Sequence, residues 1–202
     1  MTLKKGNNKR ESSLMSRRAI FLDRDGVINV EKNFVLSPDE IELYPFSGGA
    51  IKKLNQAGYL VIVITNQSAV ARNYITIEQL NGINQALRNQ LLKEGAYLDA
   101  IYFCPHKDGI DDEIGNREFI LDCECRKPKP GMFYRAAKDF DIDLKHSYVI
   151  GDSERDIIAG KRADCKTIGV KTGKALNGMM DSPDYIFNDL RGAVDFILNK
   201  ED

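Results

Sequence analysis

A chain of 202 residues with 29 basic and 30 acidic side chains has a formal net charge of −1, so no overall basicity points to nucleic acid. That length suits one domain that buries about 70% of its unfolded surface without disulfide staples. A hydrophobic share of 43%, with no apolar run of membrane-spanning length and no signal-peptide core near the amino terminus, implies a cytoplasmic globular protein.

Residues 1–16 place Lys4, Lys5, Lys9 and Arg10 among Asn and Ser with almost nothing to bury. They read as a disordered basic tail ahead of a domain at 17–202, with Met15 as a candidate start. Ala19-Ile-Phe-Leu22 is then a continuous apolar run, the mark of a buried parallel strand, and it ends in Asp23-Arg24-Asp25-Gly26. The glycine permits a sharp turn, which leaves both carboxylates in the crevice at the strand's carboxyl end, where open α/β sheets bind ligands. Two carboxylates so spaced can attack phosphorus, shuttle a proton and offer hard oxygen to Mg²⁺. An Asp-Gly turn formed for backbone reasons alone is the plainer alternative.

Ala50, Ile51 and Leu54 give a helix over Ser47–Ala57, with Ser47 as its N-cap and Gly58 as its stop. The β-branched run Leu60–Ile64 is the second strand, and it enters Thr65-Asn66-Gln67-Ser68, small polar groups suited to phosphate oxygens and equally to a strand exit. Thr76 opens a long helix with Gln79 as capping-box partner and Leu80, Ile83, Leu87 and Leu91 as its apolar stripe. Leu98–Phe103 is the next strand. Pro130 starts a helix to about Phe140, followed by a strand at Tyr148–Ile150 and a helix at Glu154–Arg162. Thr167–Val170, Tyr185–Phe187 and Leu190–Leu198 complete the series as two strands and a helix. Such alternation predicts an α/β fold, a mainly parallel Rossmann-like sheet with helices on both faces.

Three of the four cysteines and one of the two histidines fall between Cys104 and Cys125. Cys104-Pro-His106 and Cys123-Glu-Cys125 are two ligand pairs separated by 16 residues that include Asp108, Gly109, Asp111, Asp112 and Gly115. Four such ligands close a tetrahedron and leave no open position, so the expected metal is a structural Zn²⁺ that fixes loop 104–125. A reducing compartment and an odd number of thiols argue against a disulfide. Cys165 and His146 stand apart, as packing or surface residues.

Directly after this loop comes Arg126-Lys127-Pro128-Lys129-Pro130. Lys127 can neutralise a nucleophile and a transferring phosphoryl group, while the planar fork of Arg126 suits a second anionic group. Gly151-Asp152-Ser-Glu-Arg-Asp156 again runs a short strand into acids. Asp152 can complete an oxygen shell for Mg²⁺ and Asp156 can support it through water, although acids at a helix start are also ordinary N-capping.

Taken in order, Asp23-Arg24-Asp25-Gly26, Thr65-Asn66-Gln67-Ser68, Arg126-Lys127-Pro128 and Gly151-Asp152-x-x-x-Asp156 resemble the haloacid dehalogenase-like phosphatase superfamily from about Arg17 to Gly173. Cys104-Pro-His106, Cys123-x-Cys125 and Pro130-Gly131-Met132 look like its zinc-loop branch, which includes D,D-heptose 1,7-bisphosphate phosphatases and histidinol-phosphate phosphatases and has little or no cap domain. The resemblance implies a Mg²⁺-dependent phosphatase that works through an aspartyl-phosphate on Asp23, with Asp25 as acid and then base. Thr65, Asn66, Gln67, Ser68 and Lys127 would surround the phosphoryl group, and Arg126 would recognise the substrate. Mg²⁺ would rest on Asp23, the Asp25 carbonyl and Asp152, with Asp156 behind, and Zn²⁺ on Cys104, His106, Cys123 and Cys125.

The implied substrate is a small phosphorylated sugar, first of all D-glycero-D-manno-heptose 1,7-bisphosphate at its 7-phosphate, hydrolysed by a monomer with no nucleic-acid or membrane partner. Histidinol phosphate is the alternative, and its amine would sit badly beside Arg126. A zinc-bearing nucleic-acid module is the rival from another class, and a polynucleotide end phosphatase lacks a long basic groove. Glu31–Phe34 aligns with a substrate-contacting loop and Val170–Gly173 with a strand exit near the site. Two residues depart from the family pattern: Ala69 stands in place of the usual glycine, and Ser153 in place of a lysine common in the heptose enzymes. The second change removes a phosphate contact and leaves Mg²⁺ binding intact.

Overall fold

The computed structural model describes residues 17–109, 115–174 and 181–200. In chain order the elements are β1 (Ala19–Leu22), α1 (Ser47–Gln56), β2 (Leu60–Asn66), α2 (Ile77–Lys93), β3 (Ala100–Cys104) and α3 (Gly131–Phe140). They continue as β4 (Tyr148–Gly151), α4 (Glu154–Arg162), β5 (Lys166–Val170), β6 (Tyr185–Phe187) and α5 (Leu190–Asn199). The six strands form one sheet in the order β3-β2-β1-β4-β5-β6, and every pair is parallel. The basic tail with Met15, and Asp111 and Asp112 of the cysteine loop, lie outside the described residues.

The strands are apolar on both sides because both faces of the sheet are covered. Ile20, Leu22, Val61, Val63 and Ile150 pack with residues of α1, α2 and α5, while Ala19, Phe21, Ile62, Ile64 and Val149 pack with α3 and α4. Phe21 meets Phe133 of α3 edge to face, with centroids 5.1 Å apart. A one-residue slip of β1 against β2 would exchange the two cores, so the pairing of Phe21 with Ile62 and Val149 is fixed by burial. The chain steps outward from β1 to β2 and β3, then returns to lay β4 on the other side of β1. That reversal of direction opens the crevice in which open α/β sheets bind ligands.

Local signals set the element ends. Thr76 and Gln79 exchange both capping-box bonds, at 2.8 and 3.1 Å, and Gly58 follows α1 with φ +80°. Ser47 does not act as the cap of α1; Phe46 holds that place, and the Ser47 hydroxyl donates to the Ile28 carbonyl (2.7 Å), tying the loop after β1 to the helix. β3 starts at Ala100 rather than Leu98. The Leu98 carbonyl accepts from Arg88 Nη1, and Asp99 meets Val61 twice, its N–H donating to the Val61 carbonyl (2.8 Å) and its carboxylate accepting the Val61 N–H, so the regular register with β2 starts at Ala100. Among the described residues the connection from β1 to α1 holds one 3₁₀ turn at Pro38–Glu40 and no separate cap domain.

Candidate active site

The carboxyl ends of the three central strands converge on a cavity of about 270 Å³. β1 delivers Asp23 and Asp25 and β2 delivers Thr65 to Ser68; Arg126 and Lys127 reach the same space from the segment before α3, and Asp156 from the first turn of α4, while Asp152 at the end of β4 sits against Asp23 and Asp156.

Lys127 is the centre of the charge arrangement. Only 3% exposed, its ammonium lies 3.1 Å from Asp23 Oδ1 and 2.5 Å from Asp156 Oδ1, and it donates to the Ile64 carbonyl (2.6 Å). Burial opposes this charge, but the Asp156 and Asp23 carboxylates outweigh it and hold the lysine protonated beyond its ordinary range. The remaining oxygen of Asp156 accepts from the N–H and the hydroxyl of Ser153, at 3.1 and 2.6 Å. Both Asp156 oxygens are therefore engaged by protein donors, which suits its expected place behind the metal rather than on it.

Asp23, Asp152 and Asp156 each offer an oxygen within 4.8 Å of the others. Burial, opposed by Lys127 and reinforced by Asp156 and Asp25, pushes Asp23 up to about 6. Burial, with the Asp23 and Asp156 charges beside it, pushes Asp152 up to about 7, although the Lys174 N–H donates to it at 2.7 Å. Facing carboxylates that resist ionisation are the donor set of a hard dication, and this set fits Mg²⁺. The backbone is shaped to the same end: a Cβ at Gly26 (φ +80°) or at Gly173 would run into the Asp152 carboxylate. Thr172, one residue before Gly173, donates its hydroxyl to the Gly26 carbonyl (2.5 Å) and accepts at its own carbonyl from Tyr44 Oη (2.7 Å).

Asp25 is held differently. Arg24 reaches both of its oxygens (2.8 to 3.1 Å), Asn29 Nδ2 donates to Oδ1 (2.8 Å) and Gln67 Nε2 to Oδ2 (2.9 Å). Burial alone would raise this carboxyl, yet the Arg24 charge and the Asn29 and Gln67 bonds bring it below the usual range. Gln67 Nε2 also donates to Thr65 Oγ1 (2.9 Å). Asn66 grips the Lys127 backbone twice, accepting its N–H (3.1 Å) and donating to its carbonyl (3.0 Å). The amides of Asn66 and Gln67 thus line the cavity while bonding to protein, whereas Ser68 lines it beside them.

The four expected ligands of the cysteine loop come together. Cys125 Sγ lies 3.2 Å from Cys104 Sγ, Cys123 Sγ and His106 Nδ1. The bond from Cys104 brings the Cys125 thiol down to about 5 and drives Cys104 up, so the cluster holds its first thiolate readily and resists the next. A dication would remove the remaining protons, and three sulfurs with one imidazole are the donor set of tetrahedral zinc. Arg126 Nη1 donates to the His106 carbonyl (2.8 Å), so this cluster braces the cavity wall. Cys165 is buried, and His146 pairs with Asp143 (2.6 Å) at the surface.

Sequence reasoning missed Arg24, Asn29 and Asn84, and the cations Arg72, Lys107, Arg155 and Lys174 in the cavity wall. Strand alternation could have found the first, since a residue between two carboxylates that face the crevice must turn toward the interior. Arg155 also left a trace, as a cation in the first turn of α4, where the helix dipole favours anions. Opposite it, Phe34 has the Arg72 guanidinium over its ring at 5.6 Å and Tyr74 at its edge.

Residues 124–193 match the family model described as "HAD-hyrolase-like". Over 91% of its length the chain is 37% identical to the D-glycero-beta-D-manno-heptose-1,7-bisphosphate 7-phosphatase of Haemophilus ducreyi, all of which is covered. It is 40% identical to the D-glycero-alpha-D-manno-heptose-1,7-bisphosphate 7-phosphatase of Photorhabdus laumondii, over 77% of this chain and 84% of that one. The crystal structure of D,D-heptose 1,7-bisphosphate phosphatase from B. bronchiseptica, complexed with magnesium and phosphate, matches with a TM-score of 0.77 and 37% identity, covering 91% of this chain and 99% of that one. No described helix is long and apolar enough to cross a membrane. By identity, coverage and fold together, the chain belongs to the D,D-heptose 1,7-bisphosphate phosphatase family of haloacid dehalogenase-like hydrolases.

Proposed function

We propose that this protein is a Mg²⁺-dependent phosphomonoesterase that removes the 7-phosphate of D-glycero-D-manno-heptose 1,7-bisphosphate. The observation that carries the reading is the Asp23 carboxylate set 3.1 Å from the buried Lys127 ammonium on the cavity wall, with Asp152 and Asp156 beside it. Asp23 attacks phosphorus while Lys127 and the Thr65 hydroxyl hold the phosphoryl oxygens. Asp25, a carboxylate at rest, takes up a proton as the phosphate dianion enters beside it, gives that proton to the departing sugar oxygen and later accepts one from the water that opens the aspartyl-phosphate. Asp23, the Asp25 carbonyl and Asp152 would hold Mg²⁺, which supplies positive charge against the phosphoryl oxygens. Cys104, His106, Cys123 and Cys125 would hold Zn²⁺ and so keep Arg126 in place.

The second phosphate of the substrate meets Arg126, Lys107 and Arg155, of which Lys107 and Arg155 make no side-chain ion pair among the described residues. These cations favour a bisphosphate over histidinol phosphate, whose amine they would repel. A thiolate metal site suits a reducing compartment, which supports action in the cytoplasm.

Phosphate release from both heptose anomers and from histidinol phosphate, with added Mg²⁺, tests the reading. We expect kcat/KM for a heptose bisphosphate to exceed that for histidinol phosphate by at least about 100-fold, the order expected when a substrate charge meets its partner rather than a like charge. Asp23→Asn should abolish release. Equal, poor rates on all three esters would reject the substrate, and near-normal turnover by Asp23→Asn would reject the mechanism.

A further inference from the structure

Arg24 is a cation with no exposed surface, lying between the two strand-end carboxylates in the chain. Burying a guanidinium is costly unless its donors are all used, and here they are distributed with a pattern. Nε and Nη2 face Asp25, Nη2 also reaches Gln67 Oε1 (3.1 Å), and Nη1 reaches Asn84 Oδ1 on α2 (3.3 Å). The planar fork is therefore fixed from β2 and α2 before it touches Asp25.

The consequence falls on Asp25. With Arg24 on both oxygens, Asn29 on Oδ1 and Gln67 on Oδ2, the plane of this carboxylate is set by five hydrogen bonds. Its oxygens accept from these donors, and the acids left to converge on a cation are Asp23 and Asp152, with Asp156 behind them. Yet its side chain keeps 20% of its surface open and lines the cavity.

We infer that Arg24 is a positioning residue that withholds the Asp25 side chain from the metal and reserves it for the leaving-group oxygen. This inference rests on the phosphatase reading above. In the step concerned, the Asp23 oxygen forms a bond to phosphorus as the bond from phosphorus to the ester oxygen breaks. Asp25, a carboxylate accepting from Arg24, Asn29 and Gln67 before substrate arrives, takes up a proton as the phosphate dianion enters beside it, passes that proton to the ester oxygen and is left as a carboxylate again. An alkyl ester needs this proton because an alkoxide is a poor leaving group. A nitrophenyl ester does not, since its phenolate departs unaided.

The test compares the purified protein with Arg24→Met, Arg24→Lys and Asn84→Ala on two substrates, an alkyl monoester (the heptose bisphosphate) and p-nitrophenyl phosphate. kcat/KM covers the steps up to departure of the leaving group. With Arg24→Met we expect a loss of about 100-fold or more on the alkyl ester and less than about 10-fold on the aryl ester, the span typical of a misplaced general acid. Arg24→Lys, which keeps the charge and loses the fork, should recover part of the difference, and Asn84→Ala should show a weaker split of the same sign. Mg²⁺ affinity, read from activity against Mg²⁺ concentration, should stay within about 3-fold in all three.

Equal losses on both esters would make Arg24 a purely structural residue and overturn the inference, as would a tenfold change in Mg²⁺ affinity. If Arg24→Met fails to fold, the alkyl-to-aryl ratios of Arg24→Lys and Asn84→Ala decide in the same way. If the unaltered protein ignores heptose bisphosphate but cleaves another sugar monoester, the substrate reading falls while the ratio, measured on that ester, still decides the role of Arg24. If it cleaves no ester, both fall.

Discussion

Asn66 spans the gap between the end of β2 and the Lys127 backbone with two hydrogen bonds, so it sets where the ammonium sits without touching it. Each bond contributes about 1 kcal/mol to stability, which makes Asn66→Ala a mild change for the fold. Its effect on the site should be larger, because a displacement of about 1 Å in a positioning contact can cost about 100-fold. We expect kcat/KM to fall about 10- to 100-fold with only a small drop in melting temperature, checked by phosphate release and a thermal melt. At this scale the sequence discloses which residues stand at strand ends, because the apolar runs Ala19–Leu22 and Leu60–Ile64 have definite limits. It does not disclose where Asn66 and Gln67 aim. Their partners Lys127 and Asp25 lie 61 and 42 residues away, and no local pattern encodes that distance.

At the scale of elements, strands and helices follow from periodicity and caps, and the misplaced ends have specific causes. Ser47 has the composition of a cap but spends its hydroxyl on Ile28, and Asp99 meets Val61 with its carboxylate as well as with its backbone N–H. The segment between β3 and α3 has little core of its own: among its described residues the buried polar group is Lys127, which faces the site, and His106, Cys123 and Cys125 gather on Cys104 at the end of β3. A bound ion supplies what a core cannot. Removing thiol-bound metal with a chelator should open this segment to proteolysis. It should also raise KM for the bisphosphate more than it lowers kcat, because Arg126 is braced through the His106 carbonyl while Lys127 is anchored independently by Asn66 and Ile64. Steady-state kinetics and metal analysis on one sample check both, and an unchanged KM in zinc-depleted protein would count against the brace.

Across the whole molecule, the strand-end carboxylates join metal binding to stability. Asp23, raised to about 6, and Asp152, raised to about 7, both start from 3.8, so without a cation the folded protein binds more protons than the unfolded chain between these values. Stability from these groups is therefore present below about pH 4 and declines as pH rises toward about 7. A dication replaces those protons, so Mg²⁺ should bind more tightly over the same window. The gain in melting temperature on adding Mg²⁺ is expected to be larger at about pH 8 than at about pH 5, and to shrink in Asp152→Asn. Equal gains at both values would place the ion elsewhere. The acidic and polar segments each follow an apolar run, which already placed them at strand ends, and the basic segment follows the cysteine loop. What the sequence left unsaid is that β4 returns beside β1, which is the step that puts Asp152 next to Asp23.

That same topology divides the molecule into parts that change at different rates under selection or design. Asp23, Thr65 and Asp152 are carried by strands locked between two cores, whereas Phe34, Arg72, Lys107 and Arg155 ride on connections and on the first turn of a helix. Exchanging rim side chains such as Phe34 or Arg155 leaves the sheet register untouched. A new ester specificity is thus reachable by a few outer substitutions, and libraries confined to those positions would explore sugar phosphates of other sizes while every member inherits a folded, hydrolysing centre.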